Sequence, residues 1–402
     1  MDLPQPPKLP MANSRHRSRY SPPMPPRPFR IDVPDSVLED LRDRLDRTRW
    51  PDAIPDTGWD YGADIAYVRE LCDYWRNEYD WRAQEAALNA WPQFLCEVDG
   101  VDIHFWHVRG QGPDPHPLLL THGWPGSIFE FLHLIGPLTD PAAHGGDPAD
   151  AFDVVIPSIP GFGWSGKPAE RGWGPSRVAD ALDHLMTAEL GYERYGAQGG
   201  EWGAIISTRL GAAHADNLSG IHLNMALAGP PDPPTEADEA GLASRRAFQA
   251  RETGYSNVQS TKPQSLGIAQ ADSPAGIAAW ITEKFRTWSD CDGDVESRYS
   301  KDTLLTNIMF YWAPNSIASA ARIYYEARAE GVGGRVPPVE RIAVPTGFAA
   351  FPGEIIQSPR HWVEAAYNLV HYTEMPAGGH FAALEEPDHL LADIRAFFRQ
   401  VR

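Results

Sequence analysis

Residues Gln198–Gly203 read QGGEWG. A short apolar run precedes them and the pattern AIISTRLGA follows, so a strand, a sharp turn and a helix are expected with Glu201 at the apex. At such a turn the central side chain is exposed at the end of the strand, on strained backbone, and flanking glycines let neighbouring chain pass close. A carboxylate held there can attack an electrophilic carbon, while the N–H of Trp202 points to where an oxyanion would form. Alone, the turn reads equally well as a helix start with Glu201 favoured by the helix dipole. Three other stretches tip the balance. HGWPG (His122–Gly126) ends an earlier strand where a second N–H donor is expected, FPGE puts Glu354 after a later strand, and AGGHF puts His380 after the last one. Nucleophile, acid and histidine in that chain order form a catalytic triad, in which the acid orients the base.

These residues need a scaffold with several strand ends on one edge, and the pattern supplies one. FLCEVDGVDIHFWHVRG alternates like a hairpin turning at Asp99-Gly100. Strands are then expected in HPLLLT, in AFDVVIPSIP, at Tyr195–Gln198, in LSGIHLNMA, in RIAVPTGFAAF and in VHYTEMPAGGHF. Helices are expected at Ser127–Leu138, Pro175–Glu189, Trp202–Ala215 and Asp388–Arg402. This alternation predicts an α/β fold with a mainly parallel sheet. The predicted organisation has five parts: a flexible Pro/Arg-rich leader (1–27), an N-terminal helical extension (28–93), a first core segment (94–228), a helical cap (229–336) and a second core segment (337–402). In the extension, Val37, Leu38, Leu41, Leu45 and Trp50 stand near helical spacing behind an Asp35-Ser36 cap, and another helix is expected at Ala83–Ala90.

The chain has 402 residues and a formal net charge of -19, which argues against nucleic acid or an anionic membrane surface as partner. Its three cysteines (Cys72, Cys96 and Cys291) show no metal-ligand or disulfide spacing. No run has the length of a membrane span and no secretory signal opens the chain, so a cytoplasmic location is expected. No cofactor and no metal are called for. Aromatic residues near the elbow and the HGWPG loop (Trp124, Phe162, Trp164 and Trp202) suit a bulky apolar ligand.

The stretches HGWPGS, IPGFGWSGKP, AQGGEWG, IHLNMA, STKPQSLGIAQADSPAGIAAWITEKF, LLTNIMFYW, TGFAAFPGE and EMPAGGHFAALEEP, spread from Pro28 onward, resemble the epoxide hydrolase family of α/β-hydrolases. The resemblance is to the microsomal-type branch with its N-terminal helical extension; that branch's membrane anchor has no matching stretch. It implies that the elbow carboxylate opens an epoxide and forms an alkyl ester. His380, oriented by Glu354, then activates water to cleave that ester, with the N–H groups of Trp124 and Trp202 as the oxyanion hole. It also implies two cap tyrosines as acids toward the leaving alkoxide, matching Tyr255 in ETGYSNVQ and Tyr324, rather than Tyr325, in SAARIYYEA. The implied partners are a small-molecule epoxide and water, with a homodimer as an open expectation for assembly.

One residue departs from the family pattern, which has aspartate where this chain has Glu201. Both are carboxylates, but glutamate adds about 1.5 Å of reach and a further torsion. Three readings follow: Glu201 as nucleophile in an adjusted pocket, Glu201 as general base in a one-step hydrolysis, or an inactivating change that leaves a binding protein. A haloalkane dehalogenase would share the ester chemistry but lack the tyrosine acids, and an esterase would need serine at the elbow.

Overall fold

The computed structural model describes residues 25–226, 228–332 and 341–402. The N-terminal part contains β1 (Arg27–Phe29), α1 (Asp35–Asp46), α2 (Ile65–Asn77) and α3 (Trp81–Leu88). α1 buries Leu38, Leu41 and Leu45 on one face and stops at Asp46, so Trp50 lies beyond it. α2 is capped by the Asp64 carboxylate, which accepts from Ala66 N–H. The expected leader lies outside the described residues up to position 24. Its last residue is structured, because Arg27 pairs with Leu95 across the sheet.

The core continues through β2 (Gln93–Val98), β3 (Val101–Val108), β4 (His116–Thr121), α4 (Leu132–Thr139), β5 (Phe152–Pro157), α5 (Pro175–His184), β6 (Tyr195–Gly199), α6 (Glu201–Ala213) and β7 (Leu218–Leu223). Six helices follow: α7 (Glu239–Arg251), α8 (Gly254–Thr261), α9 (Pro263–Asp272), α10 (Pro274–Trp288), α11 (Lys301–Trp312) and α12 (Ile317–Ala329). The chain returns to the sheet with β8 (Ile342–Ala350), α13 (Arg360–Ala366) and β9 (Tyr367–Glu374), then ends in α14 (Ala382–Glu385) and α15 (Pro387–Val401).

The strands form one sheet in the order β1-β2-β3-β5-β4-β6-β7-β8-β9. The first three pairings are antiparallel and all later ones parallel. β5 and β7 are buried at every residue, as strands covered on both faces must be. α15 seals one face by burying Leu390, Ile394, Phe397 and Phe398 at helical spacing, each contributing about 1.5–3 kcal/mol of burial. Among the described residues no helix is long and apolar enough to cross a membrane.

Two expected helices are subdivided. Residues Ile128–Phe131 form a tight 3-10 turn before α4, where Ser127 caps Phe129 N–H. The segment expected to run as one helix to Glu189 ends its regular part at His184 and closes with a wide turn, Leu185–Glu189. The parallel strands end on one edge of the sheet, the usual place for a ligand crevice in such folds. The loops after β4, β8 and β9 carry Trp124, Glu354 and His380, and Glu201 opens α6 just after β6.

Candidate active site

β6 ends at Gly199, Gly200 caps α6, and Glu201 adopts φ 46°. A non-glycine residue in this left-handed region costs on the order of 1–3 kcal/mol and persists only where its surroundings fix it. The fixing is visible at two glycines. A Cβ on Gly203 would stand 1.8 Å from Thr121 O, and one on Gly199 would stand 2.3 Å from Gly203 C. Only glycine at both positions lets α6 start this close to β4 and β6.

The Glu201 carboxylate is held at both oxygens. Oε2 accepts from Trp124 N–H at 2.9 Å and from Trp202 N–H at 2.5 Å. Oε1 accepts from the Tyr324 hydroxyl at 3.0 Å. The extra methylene of glutamate is therefore accommodated with one oxygen between the two backbone donors. The fit is tight: a Cβ on Gly123 would come within 2.4 Å of Glu201 Oε2. Burial raises the Glu201 carboxyl to about 7, against the pull of His380 and the two N–H donors.

The loop that presents Trp124 N–H is braced from two sides. His122 sits between Ile159 N–H, which donates to its Nε2, and Gly123 O, which accepts from its Nδ1; burial lowers its imidazole to about 4, so it stays neutral. From α11, Asn307 Nδ2 donates to Pro125 O and the Tyr311 hydroxyl donates to Gly126 O. The local pattern does not announce these braces, although LLTNIMFYW places Asn307 and Tyr311 in an otherwise largely apolar helix.

His380 is buried and donates from Nδ1 to both oxygens of Glu354, at 2.9 and 3.1 Å. Glu354 is fixed in turn by Ile356 N–H. Burial opposes a charge on His380, but Glu354, then Glu201 and Glu130, outweigh it and raise the imidazole to about 9. Its Nε2 is buried without a partner among the described residues and lines a cavity together with Glu201. A base with one nitrogen anchored and the other free can take a proton from a water molecule.

The tyrosines named from the sequence both reach this point. Tyr255 stacks on Trp124 with ring centroids 5.0 Å apart, and Tyr324 stands edge-on to Trp202 at 4.7 Å. Their hydroxyls interact directly. Burial and the Glu201 charge push both phenols far up, so both remain proton donors. Tyr325, one position on, points outward and is 43% exposed.

Two expected ligand-lining aromatics lie elsewhere. Trp164 packs against Phe310, His104 and Trp81, sealing the joint between α3, β3 and α11 rather than facing Glu201. Phe162 is buried against His122 and Tyr311 and supports the loop from behind. Trp124 does line the cavity. The sequence reading passed over a further carboxylate there, that of Glu130; its signal was a lone acidic residue inside the apolar run SIFEFLHLI. Among the described residues no group of three or more His, Cys, Asp or Glu side chains is placed to hold a metal ion.

Comparison with known proteins identifies the family. Residues 26–131 match the family model described as epoxide hydrolase N terminus, and residues 116–271 match that of the alpha/beta hydrolase fold. A protein of Stigmatella aurantiaca (strain DW4/3-1) with a provisional epoxide hydrolase assignment is 45% identical, covering 93% of this chain and 85% of that protein. Epoxide hydrolase 1 of Oryctolagus cuniculus is 40% identical, covering 92% of this chain and 88% of its own length. The crystal structure of juvenile hormone epoxide hydrolase from the silkworm Bombyx mori superposes with a TM-score of 0.84 at 30% identity, covering 93% of this chain and 95% of that one. The chain therefore belongs to the epoxide hydrolase family of the α/β-hydrolase superfamily.

Proposed function

We propose that this epoxide hydrolase opens an epoxide of a bulky apolar substrate in two steps, with Glu201 as the nucleophile. The observation that carries the reading is the position of the two backbone donors, which bind an oxygen of Glu201 itself. A hole that faces the enzyme's own carboxyl stabilises the oxyanion of an ester whose carbonyl came from the enzyme. In the first step Oε1 attacks an epoxide carbon and the C–O bond breaks. The Tyr324 hydroxyl, released from Oε1, and Tyr255 beside it supply the proton that the leaving alkoxide needs. Trp124, Trp288 and the two tyrosine rings form an aromatic wall suited to an apolar substrate.

Ester formation also prepares the second step. It removes the charge on Glu201, one of the carboxylates that keep His380 protonated. The imidazole then becomes less basic, loses its proton more readily and is free to act on water. Water and epoxide are the two substrates, and the diol is the product.

The test is intact-mass spectrometry of the protein mixed with a panel of alkyl and aryl epoxides, followed by single turnover in ¹⁸O-water. The expected result is a transient adduct on Glu201 and ¹⁸O in its carboxyl after turnover. Diol release with no ¹⁸O entering Glu201 would replace the ester route with direct hydrolysis. The Glu201→Asp variant is expected to turn over faster, by about tenfold or more, because it relieves the 2.5 Å contact with Trp202 N–H and misplacement of about 1 Å costs roughly a hundredfold in rate.

A further inference from the structure

The cavity beside Glu201 is small, and His380, Gln198 and Glu130 are among the residues that line it. About 20 Å³ of it is open to water, which is room for about one molecule. A buried water needs two to four polar partners, and the walls offer them. Among the described residues His380 Nε2 is one buried atom without a partner, and Gln198 Oε1 is another. The other end of the Gln198 amide is held, its Nε2 donating to Asn224 Oδ1 at 3.0 Å. Glu130 supplies a carboxyl in the same wall.

Glu130 has no role in the two steps as described, yet the fold goes to some length to keep it there. Backbone groups of Gly123 and Ser127 hydrogen-bond its carboxyl. Gly126 has to lack a side chain, because a Cβ there would fall 1.5 Å from Glu130 Oε1. Its burial, against the opposing pull of His380, raises the carboxyl to about 8. A carboxyl at that place puts a hydrogen-bond acceptor in the same wall as His380.

We infer that this cavity holds the water that hydrolyses the ester, and that Glu130 fixes this water by accepting one of its hydrogens while His380 Nε2 accepts the other. The inference rests on the two-step reading above. One O–H bond of the water breaks and its proton goes to His380 Nε2. The water oxygen bonds to the ester carbonyl carbon of Glu201, and the displaced electron pair goes to the oxygen held by Trp124 and Trp202 N–H. Collapse of that intermediate expels the diol oxygen, which takes the proton from His380, and the Glu201 carboxyl is regenerated. A water held at two hydrogens presents its lone pair to the carbonyl, an orientation that a single contact to His380 leaves free to rotate.

Transient kinetics on the full chain with an aryl epoxide separates the steps, since tryptophan fluorescence follows ester formation and quenched mass spectrometry follows its decay. In Glu130→Leu, ester hydrolysis is expected to slow about a hundredfold while ring opening stays within about threefold, so the adduct on Glu201 accumulates. Glu130→Gln keeps an acceptor oxygen and is expected to restore hydrolysis to within about fivefold of the parent. If Glu130→Leu does not fold, Glu130→Asp carries the same test, because withdrawing the carboxyl by about 1.5 Å should still slow hydrolysis at least tenfold. Unchanged hydrolysis in the Leu or Asp variant, equal slowing of both steps, or no rescue by Gln would overturn the inference. Absence of any ester in the parent protein would instead overturn the two-step reading beneath it.

Discussion

Two buried histidine–carboxylate clusters in this chain look alike in a list of contacts and differ in what surrounds them. In one, Asp393 on α15 takes His222 Nε2 at 2.8 Å, His371 Nε2 at 2.7 Å and the Thr373 hydroxyl at 2.5 Å. Burial works against the charge on Asp393, but these donors hold its carboxyl well below the usual carboxylate range. In the other, Glu354 orients His380, and two further carboxyls, Glu201 and Glu130, crowd the same imidazole. Each cluster also has a buried histidine nitrogen without a partner among the described residues, Nδ1 of His222 and Nε2 of His380. An orphan nitrogen therefore does not mark a catalytic base. What separates them is that His380 opens onto a water-sized cavity shared with a nucleophile, while His222 lines no part of that cavity. The first cluster is built to keep one charge state; the second is built to change it.

Replacing the histidine of the working cluster should have the largest effect. His380→Gln is expected to slow ester hydrolysis by about a thousandfold or more, in the upper range for loss of a general base. Ring opening should fall by less than about tenfold, because Glu201 loses only the neighbouring cation that favours its ionised form. Intact mass should then show nearly all of the protein as the Glu201 adduct. Hydrolysis surviving at the parent rate would leave His380 with no more of a role than His222.

The tyrosines sharpen the contrast at a smaller scale. Tyr324 touches Glu201 directly, whereas Tyr255 reaches the site through Tyr324 and the Trp124 stack. Tyr324→Phe is expected to slow ring opening about a hundredfold and Tyr255→Phe about tenfold, with hydrolysis of the ester changed less than threefold in both. Equal losses in the two single variants, measured by stopped-flow fluorescence, would mean that the two phenols share the proton donation evenly.

The working cluster was more legible in the sequence than the structural one. Glu201, Glu354 and His380 each follow a strand in a glycine-containing turn, and their chain order has a chemical meaning that residue type alone lacks. Tyr255 and Tyr324 could be named only through the family resemblance, because helix packing, not local pattern, brings two distant turns of α8 and α12 together. Trp164 failed for the same reason in reverse. It sits near a site motif in the chain, but its ring completes a joint with Trp81 and Phe310. Glu130 was hidden because a carboxylate in an apolar run has no meaning until the loop before it is folded. The effect of glutamate at the elbow was likewise open until the placement of its Oε2 between two N–H groups was known. The Asp393 cluster draws on β7, β9 and α15, and nothing in those three segments announces that they meet.

The structural cluster supplies the smallest predicted effect on catalysis and a specific one on stability. Asp393→Asn removes the charge that three donors share and is expected to cost about 1–3 kcal/mol in urea unfolding, while ring opening and hydrolysis stay within about twofold. The loss should depend on pH in a definite direction. A carboxylate held below its unfolded value of about 3.9 stabilises the fold above that pH, and the contribution fades as the pH falls from there toward the folded value. The stability gap between parent and variant should therefore be full at neutral pH and shrink on acidification below about 4. A gap that persists undiminished into acid would mean that the asparagine loses packing or hydrogen bonds rather than charge. A tenfold loss of turnover at unchanged stability would instead tie Asp393 to the chemistry and dissolve the distinction between the two clusters.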